Sequence, residues 1–216
     1  IIDLEHGPGT IEHAQHLVRA AMLHDLTPII RVSENNETQI SKALDIGALG
    51  VQIPQINSKI QAEKAILAAK FAPVGSRGVC RYVRAAGYSS KEKIRYFQES
   101  NRNTLVIVHI EGKEGMQHID EILDVEGIDV IFLGPYDLSQ SLGVPGEVTH
   151  PIVISAMKEM VEKSRLKNKI VGTFVESPED VRLWSELGVL YLSYKVDVGI
   201  FYDACQDISM QINKIV

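Results

Sequence analysis

The chain has 216 residues, of which 45% are hydrophobic and 23% are charged. This length suits one α/β barrel better than two small domains, and the composition excludes a disordered chain. The 22 lysines and arginines against 28 acidic residues give a formal net charge of −6. That balance argues against nucleic acid and against anionic membranes as partners.

The two cysteines, Cys80 and Cys205, lie far apart and lack the spacing of a metal site. A disulfide framework is therefore not expected, and the sequence favours a cytoplasmic protein. No uncharged apolar stretch reaches the roughly 18 residues that a membrane-spanning helix needs, and no secretory signal pattern opens the sequence.

Seven short runs rich in apolar residues, each bounded by turn residues, predict parallel strands buried on both faces. They cover residues 1–4, 28–32, 50–54, 105–110, 130–133, 170–175 and 190–194. Segments between them repeat apolar residues at intervals of three and four, which is typical of amphipathic helices. One such stripe is Val153, Ala156, Met157, Met160 and Val161. Another, near the end of the chain, is Phe201, Ala204, Cys205, Ile208, Ile212 and Ile215.

Strand and helix alternate over residues 1–216 without a change in composition, which predicts a single α/β domain. Neither a Gly-x-Gly-x-x-Gly nor a Gly-x-x-x-x-Gly-Lys-Ser/Thr motif follows a predicted strand. An (β/α)₈ TIM barrel is therefore favoured over an open nucleotide-binding sheet. A barrel of this kind needs eight strands, and seven would leave two unpaired edges. We expect the missing first strand to precede Ile1.

Polar residues concentrate where predicted strands end, which is where the active site of such a barrel lies. Glu111 and Asp137 follow consecutive strands, so their carboxylates could share one hard cation such as Mg²⁺ or Mn²⁺. The alternative is structural: Glu111 could lie near a helix N-terminus, and Asp137 could cap a turn.

Three further polar residues end the first two strands. Asp3 and His6 are three residues apart, so the carboxylate could fix the imidazole tautomer and make His6 a general base. A local hydrogen bond without catalytic meaning is the alternative. Arg31 ends an apolar strand, where it either pairs with Glu5 or Asp3 or binds an anionic ligand oxygen.

Six segments resemble, in order and spacing, the HpcH/HpaI family of class II pyruvate aldolases. They are residues 2–8 (IDLEHGP), 28–31 (PIIR), 75–78 (GSRG), 110–112 (IEG), 125–129 (VEGID) and 134–139 (GPYDLS). Each segment is weak evidence alone, but the ordered set is specific, and the likeness extends over essentially the whole chain.

The resemblance implies a metal-dependent carbon–carbon lyase of the 4-hydroxy-2-oxoheptanedioate or 2-keto-3-deoxy acid aldolase type. Such an enzyme cleaves 2-keto-4-hydroxy acids to pyruvate and an aldehyde, with Mg²⁺, Mn²⁺ or Co²⁺ as cofactor. Glu111 and Asp137 would hold the metal, and Arg31 would bind the keto oxygen. His6 with Asp3 would supply the base, and the turn Gly134, Pro135, Tyr136 and Asp137 would bind the pyruvate carboxylate.

The resemblance also implies a homo-oligomer, a hexamer built from dimers, with a last helix of about 198–215 exchanged between subunits. Two positions depart from the family pattern. His109 stands where the family often has glutamine, and it could ligate the metal, tune its bound water or merely occupy space. A position beside the metal ligands, shared with Glu5, is favoured for it. Lys195 replaces a small or polar residue, so a Schiff-base mechanism is an alternative, although a solvated lysine is favoured.

Two other functions remain open from the sequence. One is a citrate-lyase-like or malyl-CoA-type lyase, which needs a groove for a CoA tail. The other is a noncatalytic carboxylate-binding barrel. The presence of a carboxylate pair, a cation and a histidine together favours the aldolase.

Overall fold

Seven parallel strands form one sheet in sequence order in the computed structural model, which describes residues 1–215. The strands are β1 (Ile2–Asp3), β2 (Ile29–Arg31), β3 (Gly50–Ile53), β4 (Leu105–Ile110), β5 (Val130–Leu133), β6 (Ile170–Val175) and β7 (Tyr191–Tyr194). All seven lie within one or two residues of the ranges predicted from the sequence, because short apolar runs rich in β-branched residues and bounded by turn residues favour buried strands.

One or more helices follow each strand. They are α1 (Ile11–Leu23), α2 (Glu37–Asp45), α3 (Lys59–Ala69), α4 (Lys93–Asn103), α5 (Lys113–Gln117), α6 (Ile119–Leu123), α7 (Pro135–Ser141), α8 (Pro151–Leu166), α9 (Pro178–Glu186) and α10 (Asp197–Asn213). A short 3₁₀ helix, Arg84–Ser89, interrupts the long connection between α3 and α4. Side chains of Thr10, Asn36, Ser58 and Ser177 cap the first turns of their helices.

The sheet separates two apolar layers. The larger layer packs the outer face of the strands against the helices and includes the α8 stripe predicted from the sequence, all five residues of which are buried. The smaller layer fills the inner face with Ile29, Ile107, Val130 and Phe132. Residues of β1 and β7 line the same inner cavity, so the sheet is strongly curved.

The predicted α/β class with a parallel sheet is confirmed. Along the described chain β1 and β7 each pair with one neighbour only, so the sheet shown is not a closed barrel.

The stripe of α10 behaves differently from that of α8. Helix α10 forms at the predicted place, but none of its described side chains is buried; Phe201 is 72% exposed and Ile208 56%. In the described chain the stripe of α10 is therefore uncovered, because this helix does not pack on its own sheet. Among the described helices, none combines the length and the apolar character needed to cross a membrane.

Candidate active site

The inner face of the sheet borders a cavity of about 1310 Å³ that extends from the amino ends of the strands, at Thr27 and Leu105, to their carboxyl ends. Parallel strands bring their carboxyl ends to the same edge, so residues distant in sequence meet there. The lining includes the predicted residues Asp3, His6, Arg31, His109, Glu111, Gly134, Pro135, Tyr136 and Asp137. The structure thus brings nearly all of the predicted site together.

Glu111 follows β4 and is buried, with 7% of the residue exposed. The backbone N–H of Gln55 donates to Oε1 at 2.8 Å, and His109 Nδ1 lies 3.3 Å from Oε2. Burial alone would raise the pKa of Glu111, but these two partners hold it below its usual value. The carboxylate is therefore ionised and fixed in orientation.

Arg31 lies between two carboxylates at the end of β2. Its Nε donates to Asp3 Oδ1 at 2.8 Å and its Nη2 to Oδ2 at 2.6 Å, which is a bidentate pair. Its Nη1 lies 3.0 Å from Glu5 Oε2. Pairing of β1 with β2 sets Asp3 directly beside Arg31. Of the alternatives left open by the sequence, pairing with Asp3 and with Glu5 both occur.

The predicted pairing of Asp3 with the His6 imidazole is not formed in the described structure. Asp3 instead accepts from Arg31 and from the backbone N–H of Glu5, because the bidentate guanidinium occupies both of its oxygens. The imidazole of His6 is 68% exposed at the mouth of the cavity, with Nε2 at 4.0 Å from Glu5 Oε2. The carboxylate beside His6 is thus that of Glu5.

Asp137 lies in the first turn of α7, which begins directly after β5. The start of α7 packs closely on Glu111: a Cβ at Gly134 would lie 2.7 Å from Glu111 Oε2, so a larger residue there would displace the Glu111 carboxylate. The Gly134 N–H donates to Ile110 O, and Pro135 has no N–H. The backbone donors that this turn can offer a ligand are therefore those of Tyr136 and Asp137, not the whole predicted turn.

Two buried nitrogens in the cavity lack a partner in the described chain: Nε2 of Gln52 and Nε2 of His109. Gln52 is inward-facing on β3, and the His109 ring stacks on Phe132 at a centroid distance of 4.4 Å. Because Glu111 is an acceptor only, Nδ1 of His109 carries a hydrogen. Both nitrogens are therefore unpartnered polar atoms buried in the wall of the cavity.

Sequence reasoning missed the pair of Tyr136 and Glu176, whose hydroxyl and carboxylate hydrogen bond at the rim. This hydrogen bond, together with burial, raises the pKa of Tyr136 to about 12, so the hydroxyl stays protonated. Glu176 directly follows β6, and the rule that singled out Glu111 at its strand end would have found it as well.

Lys195 follows β7 and lines the cavity, but its Nζ forms a 2.7 Å ion pair with Asp203 of α10. The hydrogen bond to Asp203 raises the pKa of the lysine. A Schiff base requires a neutral amine, so this environment disfavours the class I alternative and agrees with the solvated lysine favoured from the sequence.

The chain is similar to known proteins in sequence and in fold. A sequence model of the HpcH/HpaI aldolase/citrate lyase family matches residues 1–204. The chain belongs to that family. The family resemblance stated from the motifs is confirmed, and with it the prediction of an aldehyde-lyase of the class II pyruvate aldolase type.

Individual members of the HpcH/HpaI family are similar to this chain in sequence and in structure. The 2-keto-3-deoxy-L-rhamnonate aldolase of Escherichia coli K12 is 35% identical over 205 residues, which cover 94% of this chain and 76% of that protein. An HpcH/HpaI aldolase/citrate lyase family protein from Burkholderia cenocepacia J2315 superposes with a TM-score of 0.93 at 29% identity, covering 98% of this chain and 84% of the other. The HpcH/HpaI aldolase of Desulfitobacterium hafniense DCB-2 gives 0.90 at 27% identity, covering 97% and 81%.

Proposed function

We propose that this aldolase cleaves 2-keto-4-hydroxy acids, including 2-keto-3-deoxy sugar acids, to pyruvate and an aldehyde, with a divalent cation held by Glu111 and Asp137. The observation that carries the proposal is that these two carboxylates and the Arg31 guanidinium line one cavity at the carboxyl ends of the strands. The name of the E. coli K12 relative supports a deoxy sugar acid as the substrate class.

The residues present fit a hard divalent cation. Glu111 is ionised and oriented by its two partners, and Asp137 is accessible in the first turn of α7. Within residues 1–215 no group of three or more His, Cys, Asp or Glu side chains is arranged to hold a metal. Two carboxylates suit Mg²⁺ or Mn²⁺ better than zinc, since Mg²⁺ keeps several positions for water and substrate oxygens.

When bound, the cation supplies Lewis-acid polarisation of a carbonyl oxygen. Arg31 adds a second positive charge beside it. Three of the five N–H groups of the guanidinium point at Asp3 and Glu5. The remaining N–H groups of Arg31 can bind the keto oxygen. The carboxylates of Asp3 and Glu5 hold the guanidinium in a fixed orientation for this contact.

His6 supplies the base. Its imidazole lies at the mouth of the cavity, where the substrate's 4-hydroxyl must enter. It takes the hydroxyl proton as the C3–C4 bond breaks, so C4 leaves as the aldehyde and the bonding electrons stay on the pyruvate enolate, which takes up a proton at C3 to give pyruvate. Glu5 rather than Asp3 is the carboxylate that stabilises the imidazolium of His6. Asp3 acts by holding Arg31. Tyr136 and Asp137 offer their N–H groups to the pyruvate carboxylate.

Pyruvate release from 2-keto-3-deoxy-L-rhamnonate tests the proposal. We expect release with Mn²⁺, none above background after EDTA treatment, and recovery on adding Mn²⁺ back. The Glu111→Gln variant should lose at least about 1,000-fold in kcat/KM, because an amide is a poor ligand for a hard cation. The exposed Glu114 provides the matched control, Glu114→Gln. Release that survives both EDTA and Glu111→Gln contradicts the proposal.

Assembly and barrel closure are further parts of the proposal. An eighth strand between the free edges of β1 and β7 would complete an (β/α)₈ barrel, since both edges border the same cavity.

The apolar stripe of α10, bare in the single chain, supports a homo-oligomer in which this helix packs on a partner subunit. A sedimentation mass of one 23.9 kDa chain would contradict that assembly.

A cytoplasmic location completes the proposal. Cys80 and Cys205 are both free and exposed, which suits a reducing compartment.

A further inference from the structure

Tyr136 and Glu176 form a hydrogen-bonded pair at the rim of the active-site cavity, and neither side chain has a role in the reaction described so far. Tyr136 is the second residue of α7, which follows β5, and Glu176 directly follows β6. Because β5 and β6 are neighbours in the sheet, the two side chains meet across 40 residues of sequence. The ring of Tyr136 packs edge-on against Phe174 at a centroid distance of 6.2 Å, which holds the pair against the inner face of the sheet.

This pair offers hydrogen-bond acceptors to a ligand and no donor. The single hydroxyl hydrogen of Tyr136 is directed at the carboxylate of Glu176. The same hydrogen bond, together with burial, raises the pKa of Tyr136 to about 12, so the hydroxyl keeps its hydrogen at neutral pH. The phenolic oxygen can still accept a hydrogen bond, and a carboxylate only accepts. A ligand that contacts the pair must therefore bring its own donors.

The charges around the pair do not favour an anion. Among the described residues that line the cavity, the lysine and arginine side chains are those of Lys195 and Arg31. Nζ of Lys195 pairs with Asp203 at 2.7 Å, and the Arg31 guanidinium is held by two carboxylates. Glu176 itself forms no ion pair within residues 1–215. A carboxylate or phosphate on an incoming molecule would therefore meet an uncompensated negative charge at this part of the rim.

The pair lies where the aldehyde half of the substrate leaves the site. In the proposed reaction the start of α7 binds the pyruvate half, and Asp137, a proposed metal ligand, is the residue after Tyr136. His6, the proposed base for the 4-hydroxyl, lies at the mouth of the same cavity. With these two ends fixed, the carbons beyond C4 extend along the rim, which Tyr136 and Glu176 help to form.

We propose that Tyr136 and Glu176 select the aldehyde half of the substrate: they accept hydrogen bonds from a neutral hydroxyaldehyde and disfavour an aldehyde that carries a carboxylate or a phosphate. The inference rests on the proposed function, because it concerns the same site. Two effects act together. The acceptors favour a substrate with hydroxyl groups beyond C4, and the charge of Glu176 repels an anionic one. The substrate class is then a 2-keto-3-deoxy sugar acid rather than a keto diacid.

Condensation of pyruvate with three aldehydes, on the full chain with Mn²⁺ and saturating pyruvate, tests the selection. In this reverse reaction C3 of pyruvate adds to the aldehyde carbon, and the aldehyde oxygen becomes the 4-hydroxyl. Glyceraldehyde carries two hydroxyl groups, propanal has the same carbon chain without them, and succinic semialdehyde carries a carboxylate. The hydroxyl ratio is kcat/KM for glyceraldehyde over that for propanal, and the acid ratio is kcat/KM for succinic semialdehyde over that for propanal. We expect the wild type to prefer glyceraldehyde to succinic semialdehyde.

Two variants separate the hydrogen bond from the charge. Tyr136→Phe removes an acceptor and keeps the carboxylate, so the hydroxyl ratio should fall about threefold to tenfold. Glu176→Gln removes the negative charge, so the acid ratio should rise about threefold to tenfold. The matched control is Glu179→Gln, which removes an exposed carboxylate of α9 outside the cavity and should leave both ratios within about twofold of the wild type.

The ratios distinguish selection from a structural role of the pair. A structural role lowers kcat/KM for all three aldehydes by the same factor and leaves both ratios unchanged in both variants, which overturns the inference. A wild type that prefers succinic semialdehyde to glyceraldehyde also overturns it, while the aldolase activity itself stands. If none of the three aldehydes condenses with pyruvate, the proposed function fails, and the inference fails with it.

Discussion

The carboxyl end and the amino end of the sheet each carry a cavity, and the unbalanced charges of the two are opposite. At the carboxyl end, the cations Arg31 and Lys195 are both satisfied by carboxylates. Among the described residues no lysine or arginine forms an ion pair with Glu111 or Asp137, and Glu111 has His109 beside it. At the amino end, where the 3₁₀ helix Arg84–Ser89 lines a smaller cavity, the arrangement is reversed, since Arg84 and Lys91 lack a carboxylate in the described chain.

This contrast indicates what each end can bind. Folding tolerates an unbalanced buried charge only where a ligand, a metal or water compensates for it. The acidic excess at the carboxyl end, where Glu111 is buried, therefore favours a cation. At the amino end Lys91 is exposed, so water compensates its charge and no bound anion is required. Both ends are built by loops on the same seven strands, so the difference between them is determined by the loops rather than by the fold.

At the carboxyl end, the largest expected loss of activity is at Arg31. Arg31→Met should lower kcat/KM for pyruvate release about 1,000-fold, because it removes the cation beside the keto oxygen and leaves Asp3 and Glu5 unpaired. His6→Ala should cost about 100-fold through loss of the base. Steady-state kinetics check both, with Arg19→Met on the exposed face of α1 as control.

Loss of folding must be separated from loss of catalysis at Arg31. Arg31→Lys keeps the charge but loses the bidentate fork, so it should retain its melting temperature better than Arg31→Met and still lose at least about tenfold in kcat. Wild-type turnover in both Arg31 variants and in His6→Ala would remove Arg31 and His6 from the mechanism.

The smallest expected effect at the same end is at Lys195. Lys195→Met should change kcat/KM less than about threefold, because the amine is held protonated by Asp203 and takes no part in the reaction. Borohydride treatment with pyruvate should give no covalent adduct by mass spectrometry. An adduct on Lys195, with a large loss of activity in the variant, would instead establish Schiff-base chemistry.

The strands and the buried face of α8 follow from the sequence, because periodic burial leaves a pattern that one chain contains in full. The exposure of the apolar stripe of α10 does not follow from the sequence. Its apolar stripe has the same period as that of α8, but what covers a helix that leaves the body of the chain depends on surfaces outside it.

The sequence predicted which residues of the candidate site meet at the ends of the strands, but it predicted the contacts between their side chains less well. The position after a strand placed Glu111, Asp137 and Arg31 in one cavity. The short spacing between Asp3 and His6 predicted that these two side chains pair. In the structure, the pairing of β1 with β2 places Asp3 against Arg31, which is 28 residues away in sequence. Short sequence separation is a poor guide where a neighbouring strand presents a stronger partner.

The central claim is that Glu111 and Asp137 together hold one divalent cation, and Mn²⁺ titration of the metal-stripped protein by calorimetry tests it most directly. We predict one Mn²⁺ site per wild-type chain, weakened at least about 100-fold in Glu111→Gln and in Asp137→Asn and unchanged in Glu114→Gln. Equal Mn²⁺ affinity in the wild type and in the two ligand variants would contradict the account.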